Sequence, residues 1–177
     1  MAERRILKWP NVTLLKPANP IKVNNDSIIS LFKDLADTIK GTENALGLAA
    51  PQIGVLLQMF IINITPELNN GNGTSEIEAF INPELILKES EFEWEEGCLS
   101  IPGEYGKVKR FNRIIVRYMD LDFNVKEKEV FGFLSGCIQH EIDHLRGKLW
   151  IDYQTQFKRD LILKKIKKKA KYFDFKY

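Results

Sequence analysis

The chain contains two histidines, and both lie in one five-residue string, His140-Glu141-Ile142-Asp143-His144. On a helix, positions i and i+4 stand one turn apart on the same face. Two imidazoles so placed can grip one metal ion, and the glutamate between them can act on a water beside it. With no histidine elsewhere, any third ligand must be a thiolate or a carboxylate. The fold must therefore contain a helix carrying this pair and a second segment that returns to face it.

The zinc proteases that share the string take a histidine or a glutamate further downstream as third ligand. Here no histidine follows His144, and residues 145–177 contain no glutamate. Of the three aspartates in that stretch, Asp152 alone lies near the string. Cys137 shares the helix face but sits about 10 Å along the axis from His144, beyond the reach of a short side chain. It reads as a small buried residue beside the site. Cys98, in Glu96-Gly97-Cys98-Leu99-Ser100, is the remaining thiolate. A ligand on a strand end facing two on a helix leaves one position open, which marks a catalytic rather than a structural metal site.

The 177 residues, 44% hydrophobic and 28% charged, suit one soluble domain. No apolar run reaches membrane-spanning length, and no secretory signal is visible, so a cytoplasmic protein with reduced thiols is expected. Charge is unevenly placed. Residues 158–177 carry nine basic and two acidic side chains, whereas the rest of the chain is net acidic.

Spacing of apolar residues predicts a helix over 26–40, capped by Asp26 or Ser27 and stopped at Gly41. Residues 47–54 look too rich in glycine and proline for a regular element. A buried strand is expected over 58–64, a polar loop over 65–75, and a strand over 79–88 interrupted at Asn82-Pro83. The alternation of 91–95 predicts a half-buried strand with its glutamates in solvent. A hairpin follows over 114–122 and 125–131, turning near 122–124. Helices are expected over 133–146, ending at Gly147, and over 157–172, with a thin stripe of Ile162, Ile166, Ala170 and Phe173. Strands in the middle with helices before and after define an α+β fold: mixed or antiparallel sheets around a central metal-binding helix, with a C-terminal helix. Residues 1–157 are expected to form the unit that carries the site, a catalytic one if the metal position stays open, with the basic tail 158–177 as part of the same domain.

Three segments together resemble the peptide deformylase family: Gly47-Leu-Ala-Ala-Pro-Gln52, Glu96-Gly-Cys-Leu-Ser100 and Gln139-His-Glu-Ile-Asp-His-Leu-Arg-Gly147. The resemblance runs from about residue 6 to residue 152. It implies that Cys98, His140 and His144 hold a divalent metal with water in the fourth position. It further implies that Glu141 is the general base and acid, and that Gln52 and the Leu99 N–H stabilise the oxyanion. Gly47 and Gly97 would bind an extended peptide. The implied reaction removes the N-formyl group from formyl-methionine at the start of new polypeptides and releases formate. The family's first motif usually opens with a glycine where this chain has Ala45, a residue that tolerates positive φ poorly.

Two imidazoles and a thiolate suit zinc, iron(II), nickel or cobalt, and the resemblance favours iron(II). Asp143 reads either as a carboxylate supporting a ligand histidine or as a surface partner of Arg110. Leu46, Trp94, Phe133 and Cys137 could line an apolar pocket for the methionine side chain or pack the core. The resemblance also raises contact between the lysine-rich tail and ribosomal RNA. Neither DNA nor a membrane is expected as a partner. A zinc endopeptidase is disfavoured by the missing downstream ligand, and a nucleic-acid module with a structural metal by the lack of a fourth ligand.

Overall fold

Strand β2 (Met59–Ile64) is apolar at nearly every position because both of its faces are covered. Phe60 and Ile62 face α2 (Gly132–Leu145), packing with Ile138 and Ile142. Met59 and Ile61 face α1 (Asp26–Lys40), packing with Leu35 and Ile39. The computed structural model describes residues 3–42, 45–65 and 76–172, with side chains through residue 169.

Five strands form one sheet in the order β1 (Gly47–Ala49), β2, β3 (Glu76–Cys98), β4 (Ile101–Met119) and β5 (Val125–Phe131). Every pairing is antiparallel, so the α+β class stands and the sheet is not mixed. No helix among the described residues is long and apolar enough to cross a membrane.

Helix α1 spans the predicted residues, but its cap is Asn25, one residue before the predicted pair. Its side-chain oxygen accepts from the Ser27 and Ile28 N–H groups at 3.1 and 3.3 Å. Residues 47–54 are more regular than their composition suggests. Gly47 to Ala49 add a short strand to the edge of β2, and Ala50–Ile53 form a 3-10 turn closed by Gly54 at φ 87°. Ala45 is buried in the α1 cluster.

The two strands expected over 79–88 and 91–95 are one, β3. Asn82 adopts φ 47° where the register shifts between Ile81 and Glu84. Its amide accepts from Ile21 N–H at 2.8 Å and donates to Ile21 C=O at 2.7 Å, so Asn82-Pro83 bends the strand without ending it. Strand β4 begins at Ile101, thirteen residues before the expected start at 114. The β4–β5 turn is built by Asp120, whose Oδ1 accepts from the Asp122 and Asn124 N–H groups, both at 2.9 Å. The polar loop expected over 65–75 lies outside the described residues except for Thr65.

Helix α2 is fixed on β4 by Gln139, which accepts from Phe111 N–H at 3.0 Å and donates to Phe111 C=O at 2.8 Å. That anchor sits one residue before His140. Gly147 ends the helix at φ 70°, and a side chain there would meet the Leu15 backbone at 2.8 Å. Helix α3 (Gln156–Tyr172) lays Ile162, Leu163 and Ile166 against Ile101, Val108 and Trp150. Its Lys169 donates to Gly103 C=O at 3.1 Å, and Lys165 and Lys169 both pair with Glu104. The side chains of Ala170 and Phe173, the rest of the expected stripe, lie outside the described residues.

Candidate metal centre

The alternation that exposes Glu91, Glu93 and Glu95 turns Phe92, Trp94, Glu96 and Cys98 inward. The strand ends there, with a register shift between Gly97 and Cys98. A Cβ at Gly97 would lie 2.6 Å from the Tyr105 ring, so glycine there lets that ring pack close to the backbone. Cys98 is thereby brought to His140 and His144 on α2. Their ligand atoms all lie within 4.8 Å of one another. The Cys98 Sγ is 3.2 Å from His144 Nε2. Cys137 stands outside this donor group, in the core cluster, and burial pushes its thiol up to about 12.

The donors suit a divalent transition-metal ion. Burial opposes ionisation of Cys98, but the His144 and His140 rings overcome it and hold the thiol well below its usual value. The sulfur is then a thiolate, the form that ligates. His140 Nδ1 lies 2.8 Å from Glu96 Oε2, which leaves its Nε2 for the shared point. Next to the ligands, Glu141 is buried, and its Oε2 has no partner among the described residues. Burial pushes its carboxyl up to about 7.

Behind the donors runs a buried chain of charge that the sequence motifs alone do not reveal. Arg110 Nε and Nη2 donate to Glu96 at 2.6 and 3.0 Å, and Nη1 donates to Asp143 Oδ2 at 2.5 Å. Tyr153 adds its hydroxyl to the same Asp143 oxygen at 2.8 Å. Burial works against Glu96, but His140 and Arg110 hold its carboxyl down at about 2. Asp143 thus pairs with Arg110, but in the interior rather than on the surface, and the carboxylate that orients a histidine is Glu96. The continuing alternation from 91 to 98 carries the signal, because it turns Glu96 to the same side as Cys98.

Gln52 is locked by Ala49 N–H, which donates to its Oε1 at 2.8 Å. That turns its Nε2 toward Ser100 Oγ at 3.2 Å and Cys98 Sγ at 3.7 Å. Leu46, Gly47, Gly97, Cys98 and Leu99 meet along a groove of about 520 Å³, walled further by Lys8 and residues 101–105. Trp94 and Phe133 form an edge-to-face pair at 4.9 Å, with the Trp94 Nε1 donating to Glu96 Oε1 at 2.8 Å. Gly136 leaves space for the Trp94 ring, which an added Cβ would meet at 2.7 Å.

Gly47 lies directly against Glu141. A Cβ there would lie 2.4 Å from Glu141 Oε1 and 2.9 Å from its Cγ. Gly47→Ala is therefore expected to displace the carboxylate and lower kcat by roughly 10²-fold, the scale of a misplacement of about 1 Å. Steady-state turnover beside an unchanged circular dichroism spectrum checks this.

An antiparallel sheet and a helix bring a thiolate, two imidazoles and a buried carboxylate to one place, a donor group that could hold a metal ion in an enzyme's site. The comparisons name the family. The family model of polypeptide deformylase matches residues 3–160. The peptide deformylase of Endomicrobium trichonymphae is 43% identical over 175 residues, covering 99% of this chain and 100% of its own. That of Buchnera aphidicola is 41% identical over 179 residues, covering 99% of both chains. The crystal structure of a peptide deformylase from Legionella pneumophila matches with a TM-score of 0.88 at 37% identity, over 99% of this chain and 100% of that one. The chain belongs to the polypeptide deformylase family.

Proposed function

We propose that the protein removes the N-formyl group from the formyl-methionine of new polypeptides and releases formate. The observation that carries this reading is the meeting of Cys98, His140 and His144 beside the buried Glu141 carboxylate. A divalent ion held by those three residues would polarise the formyl carbonyl and bring the pKa of a water at its open position toward 7. We favour iron(II), with zinc, nickel or cobalt able to replace it.

Glu141 accepts the proton of the attacking water and delivers it to the departing methionine amine. Its carboxyl, raised toward neutrality by burial, suits both halves of that transfer. Gln52 Nε2 and the Leu99 N–H donate to the oxygen that gains negative charge, each worth about 3 kcal/mol when aimed beforehand. Gly47 and Gly97 offer backbone groups to an extended peptide, and Leu46, Trp94 and Phe133 receive the methionine side chain. We assign residues 1–157 to the catalytic unit, 158–177 to the same domain, and the protein to the cytoplasm.

Formyl-Met-Ala-Ser incubated with the ferrous or nickel-loaded protein tests the reading. Free formate is expected. Absence of formate sinks it, and cleavage of an internal peptide bond would favour a peptidase.

The tail is proposed to contact ribosomal RNA. Deleting it would strip Ile162 and Ile166 from the core, so Lys164, Lys168 and Lys171 should be changed to Gln instead. Ribosome co-sedimentation across a salt series is expected to weaken, its slope against log salt falling by about one for each phosphate no longer neutralised. An unchanged slope rejects the interaction.

A further inference from the structure

The N-terminal segment braces the centre through three consecutive residues. Leu7 N–H donates to Gln52 C=O at 2.7 Å, Lys8 Nζ to Leu99 C=O at 2.5 Å, and Trp9 N–H to Ser100 C=O at 2.9 Å. Two of these contacts are backbone to backbone. Lys8 alone acts through its side chain, which reaches the wall of the groove and lies half-buried there.

The peptide group between Leu99 and Ser100 is loaded at both ends. Its oxygen accepts from the Lys8 ammonium, and its N–H donates to Cys98 Sγ at 3.4 Å. A cation on the oxygen polarises the amide and strengthens its N–H as a donor. Hydrogen bonds to a ligand atom alter its donor strength and fix its orientation. The same contact fixes the backbone on the far side of the Leu99 residue, whose own N–H is the proposed oxyanion donor.

We infer that Lys8 is a positioning residue, acting through the Leu99–Ser100 peptide on the Cys98 sulfur and on the aim of the Leu99 N–H. The inference rests on the deformylase reading for its kinetic part and on the donor group alone for its spectroscopic part. It differs from direct recognition of substrate by the lysine, which would act on KM.

Lys8→Met and Lys8→Arg, each loaded with cobalt(II), separate these possibilities. The variants keep the Leu7 and Trp9 backbone contacts. For Lys8→Met we expect kcat on formyl-Met-Ala-Ser to fall about tenfold, the lower end for loss of an outer partner of a metal site. KM should stay near the wild-type value, and the sulfur-to-cobalt charge-transfer band should shift. Lys8→Arg should restore most of kcat and return the band. An unmoved band, an unchanged kcat, a rise in KM alone, or failure of arginine to restore either signal overturns the inference. If the wild type itself releases no formate, the deformylase reading fails while the band still decides the role of Lys8.

Discussion

Glu141→Ala is expected to lower formate release by about 10²–10⁴-fold, the usual contribution of a positioned proton carrier, without lowering the melting temperature. The two halves of that outcome have one cause. The Glu141 carboxyl is buried, and burial pushes it up to about 7. One of its oxygens finds no partner among the described residues. A carboxylate held this way costs the folded state stability at neutral pH, because the unfolded chain can hydrate it. Removing it relieves that cost and removes the proton acceptor together. Thermal melting beside a formate assay measures both. A variant as active as wild type would exclude Glu141 as base, and a large loss of melting temperature would show that the carboxylate supports the fold.

Arg110→Met is expected to act in the opposite way, through the fold first. Arg110 is nearly inaccessible, and its guanidinium bonds both Glu96 oxygens and one Asp143 oxygen. Deleting the cation of a buried ionic chain leaves both carboxylates without their charged partner, with the Trp94, His140 and Tyr153 hydrogen bonds remaining, and such a loss typically costs about 3–5 kcal/mol. For a chain of this length that corresponds to a fall in melting temperature on the order of 10 °C. Glu96 would also lose the partner that holds it against His140 Nδ1. Metal affinity should then fall by roughly 10–100-fold, the usual effect of losing an outer support. Urea unfolding and chelator competition test the two effects separately. Unchanged stability would mean that the chain of charge is solvated in solution.

The elements legible in the sequence are those whose burial is simple. Helix α1 shows one apolar stripe, and β2 is apolar on both faces, so each can be read without knowing its partner. Strand β4 reads too short because its inward positions do not look inward. Arg110 occupies one of them, and its charge is matched by Glu96 across the hairpin and by Asp143 on α2. Asn82-Pro83 looks like a break because the amide that repairs it bonds Ile21, sixty-one residues away. The same division holds at the candidate site. Cys98, His140 and His144 can be picked out because few residue types bind metal and the helix fixes the spacing. The surrounding layer is only partly legible: alternation turns Glu96 to the side of Cys98, but Arg110 and Tyr153 are ordinary polar residues until the fold brings them to Glu96 and Asp143.

Cys98 and His144 stand 46 residues apart, on the end of a strand and on a helix. An ion held between them would close a loop that contains β4, β5 and most of α2. A link of that span restricts the unfolded chain far more than the folded one, and such links stabilise by a few kcal/mol in the chain-entropy account. The ion would then be a clasp as well as a reagent, and losing it would loosen the seam between sheet and helix along with the chemistry.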